Sequence, residues 1–286
     1  MSGSLIAAQL VNGLAIGMLY ALMAFGLSII KGLLNIPNFA HGALFATGAY
    51  VCYGLGQVDV PFFLCLTGSF VGTAALGLLI EKCGMSKPGR PYLYQILFLF
   101  GVAMVIEQLL VIIFGTTGVS FTPPAYLGGA VDLAFMQLPK YLIFCAVTGG
   151  VAMFLMWLLI ERTKFGARVR AGIDKREMAQ ALGIDIGRLL TVGFALGAGM
   201  AGLAGGLALP LLGASASSGN DMMSIAFVVL VIGGLGSLYG VVAAGVLVGV
   251  VQSLTTIVAP AASTLLIYVA MTFVLLLRPQ GLFGER

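Results

Sequence analysis

Nine apolar runs account for most of this chain: 5–30, 37–56, 61–80, 92–114, 140–160, 189–210, 222–235, 240–258 and 262–277. About 20 apolar residues make a helix long enough to cross a bilayer. Between the runs little charge remains. Only 8% of the 286 residues are charged, against about 25% in a soluble domain. So few charges could not cover a surface in water, and the solvent of this chain is lipid. The expectation is an all-α, polytopic transmembrane bundle of eight or nine membrane segments, built as one domain over 1–286. The count turns on 222–235, which is short for a crossing and ends in GGLGSLYG (233–240). A broken or re-entrant helix there needs protein or a cavity to cover its backbone.

The basic residues set an orientation. Lys31, Lys82, Lys87 and Arg90 follow early runs. Seven more, from Arg162 to Arg188, lie between the fifth and sixth runs, and Arg278 and Arg286 follow the last. With nine crossings these all fall on one side. The other side holds Asp59, Asp132, Asp221 and one basic residue, Lys140. The positive-inside rule makes the basic side cytoplasmic, with the N-terminus external and the C-terminus cytoplasmic. The start lacks a basic leader region, so the first run reads as a retained transmembrane helix. The external stretch 115–139, with Pro123-Pro124, reads as an ordered loop containing a short hairpin. Asp221 is placed to cap the helix after it.

The 41 glycines lie within apolar runs. Gly193/Gly197, Gly202/Gly206 and Gly245/Gly249 recur at four-residue spacing, which suits close helix contact. The Gly-rich stretches 193–206 and 233–249 are alike in composition, but no sequence repeat is visible. The four cysteines show no metal spacing and read as small core residues.

The sequence DKREMAQALG (174–183) is an unusually charged piece in such a chain. Asp174 as N-cap, Glu177 three residues later and Gly183 as stop describe a helix of about eight residues, roughly 12 Å long. Met178, Ala181 and Leu182 fall on one apolar stripe. Two readings stay open from the residues alone: a loop helix resting on its own bundle or the lipid headgroups, and a docking knob for a cytoplasmic partner.

EMAQALG (177–183), followed by Gly-rich apolar sequence to Pro210, resembles the Glu-Ala-Ala…Gly coupling loop of ABC importer permeases. The match is at Glu177, Ala179 and Gly183, with Met178 replacing the middle Ala. The stretch 12–50 is similar to the opening of branched-chain amino acid permeases, VIGGLGSLYGVVAAGVLVG (231–249) to their late Gly-rich segment, and LRPQGLFG (277–284) to their ending. The resemblance runs from end to end and is nearest to the shorter of the two permease subunits. Urea and other amide permeases are relatives, which leaves the substrate open.

The resemblance implies a transport subunit in a bacterial inner membrane, with no covalent chemistry and no cofactor of its own. It implies two cytoplasmic ATPase subunits that hold ATP and Mg, a related second permease, an external substrate-binding protein, and no nucleic acid. Asp174, Glu177, Met178, Ala179, Leu182 and Gly183, within a coupling loop at about 161–188, would enter a cleft on an ATPase. The residues agree on what is missing. No GxxxxGK[ST] phosphate loop occurs, no Ser-His-Asp spacing is visible around the sole histidine, His41, and no His/Cys/Glu cluster suggests a metal site.

For the substrate pathway the candidates are Asn38, His41 and Glu107. Glu107 is an acid within an apolar run, where burial is expensive and usually functional. Its bland reading is a hydrogen bond to Gln108 or a neighbouring helix. In NIPNFAHG, Pro37 fits a first helical turn capped by Asn35 or a neighbour, with His41 one turn inside. Asn12, Gln95 and Gln252 read as polar packing on the same grounds, and Lys140 and Asp132 as either solvated charges or contacts to a binding protein. The rival classes are an ion-gradient-driven carrier, which would want more membrane acids and bases than Glu107, and a channel or anchor subunit.

Overall fold

The computed structural model describes residues 3–34, 36–85, 91–132, 137–174, 176–234 and 236–284, with the side chains of 173–177 left aside. Asn35, Lys87, Arg90, Lys175 and Arg286 lie outside the described residues. The α-helices are α1 Gly3–Leu34, α2 His41–Gly56, α3 Phe62–Ile80, α4 Tyr92–Phe114, α5 Lys140–Arg162, α6 Lys164–Asp174, α7 Arg176–Ala181, α8 Ile186–Leu212, α9 Ser218–Gly233, α10 Leu238–Val258 and α11 Ser263–Leu277. A π-helical turn, Glu81–Met85, prolongs α3. The expected hairpin forms from β1 Ala130–Asp132 and β2 Gln137–Pro139, with Val131 opposite Leu138.

Each of the nine apolar runs folds as a helix, and the protein is an all-α, polytopic membrane protein. Among the described residues seven helices are long and apolar enough to cross a membrane, α11 being so only together with the 3-10 turn Pro260–Ala262 that precedes it. The other two, α2 and α9, have 16 residues each, about 24 Å at 1.5 Å per residue against a hydrocarbon core of roughly 30 Å. The eight or nine segments expected therefore resolve into seven of spanning length and two shorter ones. The short run 222–235, for which the sequence left crossing and re-entry open, has a counterpart of equal helix length at 37–56 that periodicity did not show.

Local chemistry sets both short starts. Pro37 precedes α2 and does not sit in its first turn. Asn38 Oδ1 accepts the Ala40 N–H at 3.1 Å, and the Asn38 carbonyl accepts the His41 N–H at 3.1 Å. His41 is thus the first helical residue. At α9, Ser215 Oγ accepts the Ser218 N–H at 3.1 Å. Asp221 lies within the first turn of the helix and is not its cap, where a negative charge still suits the helix dipole. The two N-terminal ends meet inside the bundle. A Cβ on Gly42 would collide with the Gly219 carbonyl, and one on Gly219 with the Gly42 carbonyl.

The central pair is α1 and α8, 83% and 78% buried along their most apolar stretches, whereas α4 and α11 are 17% and 11% buried and form the rim. Helix α1 packs most extensively on α10, and α8 on α3. The contact of α1 with α10 runs through Gly13 and Gly17 against Gly245 and Gly249. Gly197 meets Gly26, and Gly202 meets Gly48 and Thr73. The glycine stripes are packing surfaces, as expected.

These contacts contain a structural repeat. Helix α2 packs on α3 and α4, α9 packs on α10 and α11, and α1 and α8 pack on each other. Gly26 and Leu33 of α1 face Gly197 and Gly193 of α8 in reverse order. Helices α1–α4 and α8–α11 are therefore two like halves of opposite direction, with α5–α7 between them, an arrangement common in transporters. The two ends of the bundle differ in charge. Lys31, Arg162, Lys164, Arg170, Arg188 and Arg278 gather with the α9–α10 turn at one end, over which Leu282 and Phe283 donate backbone hydrogen bonds to the Ile232 and Gly233 carbonyls (2.8 and 3.2 Å). The opposite end carries the hairpin and the loop before it, in which Val119 pairs with Ala214 of the α8–α9 connection by backbone bonds of 2.8 and 2.9 Å.

Candidate functional site

At the basic end, 161–188 folds as two helices. Helix α6 was not foreseen. Asp174 is its last residue and does not precede α7 as an N-cap. Arg170 holds α6 to the end of α5 by donating to the Ile160 carbonyl and lying 3.3 Å from Glu161 Oε2. Helix α7, Arg176–Ala181, includes the backbone of Glu177, whose side chain lies outside the description. Gly183 ends it at φ +80°, with the Gly183 N–H on the Gln180 carbonyl (2.9 Å) and the Ile184 N–H on the Ala179 carbonyl (3.0 Å). A left-handed residue is needed there, and glycine adopts it without strain. Asp185 then caps α8 by accepting the Arg188 N–H at 3.1 Å.

The side chains divide sharply. Ala179 is buried with Val169, Ile186 and Leu189, and Leu33 of α1 packs on this cluster. Met178 and Leu182 are 62% and 82% exposed. The apolar stripe therefore points away from the bundle, and among the described side chains of α7 Ala179 is the one that is buried. Met178 and Leu182 are thus an apolar pair held outward on a helix pinned from its other side.

Near the middle of the bundle, His41 and Asn38 lie together, fully buried. His41 Nε2 donates to the Met23 carbonyl at 3.0 Å, which leaves Nδ1 as an acceptor. Within the buried interior, His41 Nδ1, Asn38 Nδ2 and Ser28 Oγ have no partner. Glu107 is not part of this group. It sits half-buried on α4 and accepts from Asn220 Nδ2 in the first turn of α9, at 3.3 Å. Its partner is thus a neighbouring helix, not Gln108.

Two cavities flank this layer along α1. The outer one, about 640 Å³, is lined by α1 from Gln9 to Met23, by α10 from Gly249 to Thr256, and by Phe45 and Met222 near the starts of α2 and α9. The inner one, about 560 Å³, touches Ser28 to Leu33 of α1, Glu161, Arg170 and the α9–α10 turn. Between them Ala24 to Leu27 is closed and buried, about 6 Å of helix. Asn12 and Gln252 line the outer cavity and Gln95 does not. Gln9, Tyr20 and Ser253 were missed by sequence reasoning. Their signal was present: Gln9, Asn12 and Tyr20 are spaced to share one face of an otherwise apolar helix. Asp132 and Lys140 are exposed at the outer end.

The family model described as branched-chain amino acid transport system, permease component, matches residues 9–276. The chain is 28% identical over 300 residues to the high-affinity branched-chain amino acid transport system permease protein BraD of Pseudomonas aeruginosa, covering 97% of this chain and 95% of BraD. It is 26% identical over 299 residues to the permease protein LivM of Escherichia coli, covering 93% of this chain and 68% of LivM. Among solved structures, PsaBC from Streptococcus pneumoniae in complex with Fab matches with a TM-score of 0.50 at 12% identity, over 93% of this chain and 89% of that one, a likeness of fold.

Proposed function

The chain belongs to the family of branched-chain amino acid transport permease components, and from that premise we propose that it is the shorter permease subunit of an ABC importer for branched-chain or related amino acids in a bacterial inner membrane. The near-complete coverage of BraD and the partial coverage of LivM favour the shorter subunit. They also suit pairing with a longer, related second permease.

The chain forms one permease domain, 1–286, with 161–188 as its coupling segment. Its basic end is cytoplasmic by the positive-inside rule. Helix α1 then starts outside and α11 ends inside, with α2 and α9 entering from opposite faces to meet within the bundle. Two ATPase subunits, which hold ATP and Mg, dock at α7 around Asp174, Glu177, Met178, Ala179, Leu182 and Gly183. An external binding protein delivers substrate at the hairpin end, near Asp132 and Lys140. The chain itself holds no cofactor and catalyses no reaction.

The observation that carries this reading is the division at α7: Met178 and Leu182 outward, Ala179 buried on a cluster that Leu33 of α1 joins. Movement of a docked ATPase pair would pass through Ala179 and Leu33 to α1, which with α10 lines both cavities. The closed section Ala24–Leu27, with His41 held on Met23 and Asn38 beside it, is where access would switch sides. The ATPases drive that switch only by binding the two bundle states with different strength. An ion-driven carrier is less well supported, because Glu107 is engaged by Asn220 and no cluster of acidic or metal-binding side chains occurs among the described residues.

The test is uptake by proteoliposomes containing this chain, its second permease and ATPases, supplied with the binding protein. Leucine enters with ATP and continues when an ionophore collapses all ion gradients. Uptake that stops with the gradients, or urea entering in place of leucine, contradicts the reading.

A further inference from the structure

Resting on the importer reading, we infer that the outer cavity is the chamber that receives substrate, and that a charge-free arc of amides and hydroxyls between α1 and α10 selects net-neutral zwitterions over net-charged solutes. The cavity, about 640 Å³, falls in the range of small-molecule sites, roughly 300–1,000 Å³. The close approach of α1 and α10 at their glycines brings two polar pairs face to face. Tyr20 donates to Gln252 Oε1 at 2.7 Å. Ser253 donates to Gln9 Oε1 at 2.6 Å. Beside them Asn12 Oδ1 is buried with no partner, an acceptor placed to receive an N–H.

Amides and hydroxyls both donate and accept, so this arc serves an ammonium and a carboxylate together. Met23, Phe45 and Met222 give the other wall an apolar surface for an aliphatic side chain. Among the described residues no Asp, Glu, Lys, Arg or His lines the cavity. A solute with net charge would enter without a counter-charge, and desolvation opposes that.

The assay is thiol protection in the complete importer, assembled without its binding protein so that free amino acids report on the permease alone. Thr256, in the cavity wall, is replaced by Cys in a Cys83→Ser background; Cys52, Cys65 and Cys145 are buried. Leucine is expected to slow maleimide labelling at Thr256→Cys by at least about fivefold, and lysine by less than about twofold. Adding Gln252→Glu, which keeps the shape and the acceptor for Tyr20 but introduces one negative charge, reverses that order. Should the Gln252→Glu complex not assemble, the leucine-to-lysine comparison decides alone. Labelling unaffected by leucine, in an importer that takes up leucine in proteoliposomes, overturns this assignment and leaves the importer reading intact. Equal protection by leucine and lysine, or a Gln252→Glu change that affects both alike, overturns the charge selection. An importer that takes up no leucine removes the reading beneath it.

Discussion

Replacing Met178 and Leu182 together by Asp leaves a folded permease that no longer captures its ATPases, and ATP-driven uptake falls roughly 100-fold or more. Both side chains already face outward, at 62% and 82% exposure, so the change adds no charge to the permease interior. Exposed substitutions of this kind typically alter stability by within about 0.5 kcal/mol. At the interface the balance differs. Burying each apolar side chain contributes about 1.5–3 kcal/mol, and every 1.4 kcal/mol is a factor of about ten in affinity. Two anchors lost, with a carboxylate desolvated at each place, amount to two decades or more. Co-purification of ATPase with tagged permease, beside size-exclusion of the permease alone, checks it. Ala179→Asp is the contrasting variant: it buries a charge among Val169, Ile186 and Leu189 and disturbs the α7 segment itself. If the Met178/Leu182 double variant retains its ATPases at wild-type levels, α7 is a loop helix and the energy source enters elsewhere.

The second large effect is expected at the junction of the two short helices. Gly219→Val places a branched side chain against the Gly42 carbonyl and the Ala43 backbone, none of which has a flexible end that can swing aside. Overpacking of this sort costs about 1–3 kcal/mol and occasionally more. Here it falls where α2 and α9 share one contact, so separating them also opens the layer containing His41. The expected result is a marked loss of monodisperse protein in detergent and a lower unfolding temperature. Gly54→Ala, on α2 with nothing within 4 Å of its Cβ position, is the control. It should be neutral or stabilising by about 0.4–1 kcal/mol. A Gly219→Val protein as stable as the parent means that the two helix ends do not meet.

Much of this architecture was legible because hydrocarbon burial is written in composition. The apolar runs, the weakness at 233–240, the hairpin in 115–139 and the glycine contacts all follow from chain-local rules. The start of α2 was not, since Asn38 and Pro37 offer competing local signals and His41 begins the helix only because Asn38 organises the turn before it. Asp174 misled for a similar reason: a carboxylate before an apolar stripe looks like a cap, whereas α6 extends through it. The inverted repeat left no sequence trace because close helix packing asks for small residues, not particular ones. The outer cavity depends on Tyr20 meeting Gln252, 232 residues away, and no local pattern announces such a pair. The stripe at Met178 and Leu182 was visible, but its direction was not. Only packing could show that Ala179 takes the inner side.

The most direct test of the account is a cross-link from Leu182→Cys, in a Cys83→Ser background because native Cys83 is exposed, in inside-out membrane vesicles containing the whole importer. A short bifunctional thiol-to-amine reagent should join this position to an ATPase subunit in high yield, with a yield that changes between the nucleotide-free and ATP-bound states. Yield at an exposed residue of the opposite end, Val58→Cys, should be nil. No adduct from Leu182→Cys to an ATPase, in vesicles that transport leucine with ATP, would contradict the claim that α7 is where the motor engages this chain.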